Sequence, residues 1–76
     1  MKEKLFNALA EALEMKITQI SESHNFRDYE NYSSLTELSV LAMLDSEFGI
    51  EVEMSEFNRC KTVMDLAQLV ESKSSE

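Results

Sequence analysis

The residues best spaced for chemistry are Ser33-Ser34-Leu35-Thr36-Glu37-Leu38, where adjacent hydroxyls open an apolar run. Ser34 followed three residues later by Glu37 forms a capping box, which predicts Ser34 as the N-cap of a helix. The first N–H groups of a helix are unpaired and lie at the positive end of its dipole, so a phosphate attached there is favoured. Taken alone, the pattern means a helix start. His24 and Cys60 are the only imidazole and the only thiol, too few for a structural zinc site. As a nucleophilic pair they are poorly matched. His24 falls in a polar loop and Cys60 on an apolar helical face, where small buried cysteines are common. Asp45, Glu47, Gly49 and Glu56 share the spacing of a calcium loop, but Ile50 stands where that loop needs glycine for its sharp turn. Loose divalent-cation binding to acidic residues is expected, with no dedicated metal site. There is no glycine-rich phosphate loop, and nothing points to an enzyme.

The elements that must carry these residues are helical. One Gly and no Pro among 76 residues argue against a turn-rich β design. Residues 3–15 read as a first helix, with Leu5, Leu9 and Leu13 on one face and Phe6, Ala10 and Ala12 widening it. Residues 16–33 lose that period and form a long loop pinned by Ile17, Ile20 and Phe26; connections of this length are often functional. A second helix runs from about Ser34 to Phe48. Leu38, Leu41, Leu44 and Phe48 cluster on one side, and a narrow strip at Thr36, Ser39, Met43, Ser46 and Glu47 is left exposed. Gly49 sits where a helix-ending residue belongs. Ser55 is placed to cap a short third helix carrying Phe57 and Cys60. Thr62-Val63-Met64-Asp65 repeats the hydroxyl-x-x-acid signal and opens a last helix with Val63, Leu66, Leu69 and Val70 inward. Lys73 near its end suits the dipole, and the tail from Ser72 to Glu76 is expected to fray. The sum is an all-α fold: a small antiparallel four-helix bundle, three main helices plus one short, with a long loop between helices one and two. Residues 1–76 are expected to form a single domain.

Composition narrows the partners. Apolar residues make up 43% of the chain, enough for a globular fold. The net charge is −8, and all of it lies between Asp28 and Glu56. That block holds eight acids and no Lys or Arg, whereas the remainder carries seven of each sign. Nucleic acid is excluded by sign, and basic protein surfaces are favoured. Asn7 and Glu11 interrupt the apolar residues near the start before a signal segment can form. No window reaches the roughly 20 apolar residues of a membrane span. A single cysteine suits a reducing compartment, so a cytoplasmic monomer is expected.

Beyond these readings, the chain resembles an acyl carrier protein. The residues that carry the resemblance are Ser33-Ser34-Leu35, then Leu38, Leu41 and Leu44, then Glu47-Phe48-Gly49-Ile50-Glu51-Val52, and last Thr62-Val63. Phe26, eight residues before Ser34, matches an aromatic that precedes the motif in many carriers. The resemblance implies 4′-phosphopantetheine on Ser34 through a phosphodiester, with an acyl chain held as a thioester on the arm. It implies a phosphopantetheinyl transferase and acyl-handling enzymes with basic surfaces as partners. These would meet Leu35, Glu37, Met43, Asp45, Glu47, Glu53 and Glu56. The long loop and the short third helix would let the bundle open toward the acyl chain. Each buried methylene would then contribute about 0.8 kcal/mol, so a long chain should stabilise the fold. Two departures stand out. Ser33 replaces the Asp that usually precedes the modified serine, and Thr36, Ser39 and Ser46 occupy surface positions where fatty-acid carriers place acids. Both point from housekeeping fatty-acid synthesis toward a specialised acyl, aminoacyl or polyketide carrier. A peptidyl or aminoacyl carrier, and an unmodified bundle acting as a protein-interaction module, are the alternative readings.

Overall fold

The computed structural model describes residues 2–74, with side chains over 3–73. Its helices are α1 (Lys2–Leu13), α2 (Ser34–Phe48), α3 (Met54–Arg59) and α4 (Val63–Ser74). Two single 3₁₀ turns, Ile17–Gln19 and Phe26–Asp28, punctuate the connection between α1 and α2. No helix among the described residues is long and apolar enough to cross a membrane.

The core is built from one stripe of each long helix. Leu5, Leu9 and Leu13 of α1, Val40 and Leu44 of α2, and Val63, Leu66 and Val70 of α4 are fully buried, together with Phe26 and Phe57. Each such side chain contributes on the order of 1.5–3 kcal/mol by leaving water, and within each long helix their i, i+3 or i, i+4 spacing puts them on one face. α1 stops at Leu13, two residues earlier than its apolar pattern suggests. Glu14 takes a left-handed conformation, φ 57°, and Met15 N–H donates back to the Ala10 carbonyl at 2.8 Å. Asn31 Nδ2 closes this end by donating to the Leu13 and Glu14 carbonyls at 3.2 and 2.9 Å.

The connection from α1 to α2 is tied down more firmly than its composition suggests. Ile20 and Phe26 are buried anchors as expected, but Ile17 is 41% exposed and pins nothing. Loop carbonyls also finish α4: Val63 N–H donates to the His24 carbonyl and Met64 N–H to the Glu22 carbonyl, both at 3.0 Å. The Thr62–Asp65 box forms as expected, with Asp65 N–H donating to Thr62 Oγ1 at 3.2 Å and Thr62 N–H to Asp65 Oδ2 at 3.1 Å. α3 begins one residue before Ser55. Glu53 is its N-cap, and Glu56 Oε1 accepts the Glu53 N–H at 3.0 Å. Ser72–Ser74 are helical, not frayed as expected from Ser72 onward; Ser75 and Glu76 lie outside the described residues.

Candidate functional site

The start of α2 forms differently from the pattern read in the sequence. Ser33, not Ser34, is the N-cap, with extended backbone at φ −157° and ψ 176°. Two boxes compete here because Thr36 and Glu37 each lie three residues after a serine. The Ser33 box wins because Thr36 Oγ1 accepts the Ser33 N–H at 2.7 Å and Ser33 Oγ accepts the Thr36 N–H at 3.4 Å. Ser34 is therefore the first helical residue. Its side chain is exposed, and its N–H and that of Leu35 belong to the turn that helix geometry leaves without intrahelical acceptors. The correction favours the chemistry expected of Ser34: a cap hydroxyl is committed to the backbone, whereas this one is free to react.

The outer face of α2 also differs from its wheel. Leu38, expected inward with Leu41, Leu44 and Phe48, is 63% exposed, and Leu35 is 77% exposed. Met43, expected on the exposed strip and among the partner-facing residues, is buried at 8%. It packs in the common core with Val40 and Leu44, so it is not available to a partner. The reason is that α2 is apolar nearly all round. The neighbours that α1 and α4 supply decide its orientation, and hydrophobicity alone does not.

Among the acids, Asp45, Glu47, Glu51 and Glu53 are exposed and Glu37 is half-buried. Glu56 is engaged within the chain: Lys73 Nζ lies 3.0 Å from its Oε1. The Glu53 N–H, and then Lys73, hold its carboxyl below the usual glutamate range. Lys4 Nζ donates to the Glu47 carbonyl at 3.0 Å and sits 5.1 Å from the centre of the Phe48 ring, a cation at the negative end of the α2 dipole. The acidic block thus has two cations folded against it that its own sequence lacks. A cleft beside it is lined by Asp45, Ile50, Glu51, Glu53 and Lys73.

Behind the hydroxyls, Tyr32 packs edge-on to Phe26 with ring centroids 5.8 Å apart. Its hydroxyl oxygen is buried and has no hydrogen-bond partner among the described residues. Burial, and next the Glu37 charge, push the phenol above its ordinary value, against an opposing pull from Arg27. His24 and Cys60 do not form a reactive pair. His24 Nδ1 is hydrogen-bonded to the Tyr29 hydroxyl at 2.9 Å, while Cys60 is buried, and burial raises its thiol pKa first of all. No cluster of three or more His, Cys, Asp or Glu side chains able to hold a metal occurs among the described residues.

Four helices in this order, with an exposed serine opening the second, coincide with a known family: residues 3–70 match the phosphopantetheine attachment site family. The chain belongs to that family. The backbone is similar to that of a holo acyl carrier protein from Geobacter metallireducens, solved by solution NMR. The TM-score is 0.82 at 21% sequence identity, over 95% of this chain and 83% of that one. At that identity the likeness shows the fold, a four-helix carrier bundle. The family carries its cofactor covalently and is not itself catalytic. The chain's own residues fit 4′-phosphopantetheine: an exposed, uncommitted hydroxyl lies beside the free N–H groups of a fifteen-residue helix, where a phosphodiester gains from the dipole.

Two features of this carrier escaped the sequence reading. Arg27 packs over Phe26 and Phe57 and donates to the end of α3. The available signal was its position beside Phe26 as the sole cation between Lys16 and Arg59. Leu38 joins Leu35 on the outer face, and periodicity alone could not place it on a helix whose apolar residues run nearly all round.

Proposed function

We propose that the chain is an acyl carrier in which the Ser34 hydroxyl forms the phosphodiester to 4′-phosphopantetheine. The single observation that carries this reading is the division of labour between adjacent serines. Ser33 is spent on capping α2, and Ser34 is left exposed at its first turn. When bound, the arm supplies a terminal thiol on which an acyl group rides as a thioester. Ser34 anchors the phosphate, and the neighbouring N–H groups and the α2 dipole favour its charge.

Partners are read from the surface beyond Ser34. Leu35 and Leu38 form an apolar step next to the attachment point. Glu37, Asp45, Glu47 and Glu53 supply negative charge along α2 and the loop after it, suited to transferases and acyl-handling enzymes with basic surfaces. Glu56 contributes less because Lys73 already neutralises it, and Met43 contributes nothing from the core. The chain acts as one monomeric carrier domain of the cytoplasm, in a dedicated acyl or polyketide pathway rather than bulk fatty-acid synthesis. Thr36, Ser39 and Ser46 in place of acids support the specialised role.

The test is intact mass after incubation with coenzyme A and a broadly specific phosphopantetheinyl transferase. The expected result is a gain of one phosphopantetheine that Ser34→Ala abolishes and Ser33→Ala keeps. A gain lost only in Ser33→Ala moves the attachment to Ser33. No gain with several transferases replaces the carrier by a protein-interaction module.

A further inference from the structure

Three aromatic rings form a continuous run from the segment entering α2 to α3. Tyr32 stands two residues before Ser34. Its ring packs on Phe26 at 5.8 Å, and Phe26 packs on Phe57 of α3 at 5.6 Å. Phe26 and Phe57 are wholly buried. Arg27 closes the run from outside, with its guanidinium carbon 4.6 Å from the Phe26 ring centre and 5.0 Å from that of Phe57. The same group donates Nη2 to the Phe57 carbonyl at 2.9 Å and Nη1 to the Cys60 carbonyl. Those carbonyls stand at the C-terminal end of α3, where helix carbonyls run short of N–H donors, although that of Phe57 also accepts the Cys60 N–H at 3.1 Å. One planar cation thus satisfies the end of α3 and stacks on two rings. Moving α3 outward would uncover Phe57, unstack Arg27 and release both carbonyls together.

We infer that this carrier holds its acyl group outside the bundle, because Tyr32, Phe26 and Phe57 fill the path beside the start of α2 and Arg27 latches α3 over them. The inference rests on attachment at Ser34. A chain entering on that side meets close-packed rings, and an interior of that density yields little space without strain. The expectation that the long loop and short α3 would open for a long chain therefore does not hold for this sequence. The cargo class that follows is short or polar acyl groups, aminoacyl groups included. Burial gives these little, whereas a long alkyl chain left in water is penalised in proportion to its apolar surface.

The experiment loads acetyl and dodecanoyl arms from their coenzyme A thioesters, checks each by intact mass, and compares melting temperatures. Failure to load, seen in the mass, counts against the carrier reading. Dodecanoyl and acetyl chains joined to Ser34→Cys through a maleimide, with Cys60 buried, then put the same question without a transferase. The expected result is equal melting in the two forms, with no nuclear Overhauser contacts from the alkyl chain to Phe26 or Phe57. A dodecanoyl form melting more than about 10 °C higher, or showing such contacts, overturns the inference. Arg27→Met and, should it fold poorly, Phe57→Leu are expected to restore a chain-length effect. If a variant folds and still shows none, the latch is not what excludes the chain.

Discussion

Ser33 and Thr36 hold each other reciprocally, the Ser33 N–H donating to Thr36 Oγ1 at 2.7 Å and the Thr36 N–H to Ser33 Oγ at 3.4 Å. This pair, set one residue earlier than the Ser34–Glu37 box, decides which hydroxyl is structural and which is free. Ser33→Ala should therefore lower stability by about 1 kcal/mol, read as a lower urea midpoint with an unchanged slope. Ser34→Ala should leave the midpoint within about 0.5 kcal/mol of the parent. Ser33→Asp restores an acceptor and adds charge at the helix start, so it should match or exceed the parent. A parent-like Ser33→Ala would show that the cap is not contributing.

Arg27 supplies the second prediction. Lysine keeps the charge but loses the fork that reaches two carbonyls and the plane that stacks on two rings. Hydrogen bonds from a charged donor contribute about 1.5–3 kcal/mol each. Arg27→Lys should accordingly destabilise by at least about 1 kcal/mol, and hydrogen exchange should quicken first at the amides of α3. Uniform acceleration over all four helices would mean that Arg27 does not act locally.

How far the fold was legible depends on whether one residue or several could satisfy a given role. Leu5, Leu9 and Leu13 had a polar opposite face, so α1 could point only one way. The Thr62–Asp65 box had no rival and formed as read. On α2 the apolar residues run nearly all round, so the inward direction of Met43 and the outward direction of Leu38 were settled by α1 and α4. At its start, two serines each had a partner three residues on, and only the Thr36 hydroxyl geometry chose between them. Arg27 was hard to see for a different reason: apart from its neighbour Phe26, its partners are the Phe57 ring and the Phe57 and Cys60 carbonyls at the end of α3, 30 and 33 residues away.

Acid should weaken the molecule through Asp65. The Lys61 and Thr62 N–H groups hold this carboxylate below the ordinary aspartate range. A depressed folded-state pKa contributes stability that is fully present above the unfolded value, about 3.9, and lost as pH falls through the folded one. The gap in melting temperature between the parent and Asp65→Asn should be constant above about pH 5 and close below about pH 4. Taking the difference removes the opposite background trend, the relief of repulsion as the acidic block protonates. A gap independent of pH would exclude the charged cap.

Salt should act on that block in the other direction. Asp45, Glu47, Glu51 and Glu53 are exposed, and Lys73 is already engaged by Glu56. Their mutual repulsion is screened over about 10 Å at 0.1 M ionic strength. The melting temperature should rise with sodium chloride and more steeply with Mg²⁺. Glu51→Gln should raise it at low salt and flatten the slope. A flat response in the parent would mean that the acids are too far apart to repel.

Gly49 gives the cleanest measure of backbone strain. It ends α2 at φ 64°, and its N–H donates to the Asp45 carbonyl at 2.9 Å while Ile50 N–H reaches that of Leu44. A methyl added at Gly49 meets nothing within 4 Å, so steric collision does not enter. What remains is the penalty of holding an L-residue in the left-handed region, roughly 1–2 kcal/mol. Gly49→Ala should therefore lower stability by about 1 kcal/mol or more, while Gly49→Asn, which tolerates that conformation better, should lose less. Measured urea midpoints for the two decide it. Equal losses would mean that the helix end rearranges and does not strain, and the 4′-phosphopantetheine gain, read at the far end of the same helix, should be untouched in both.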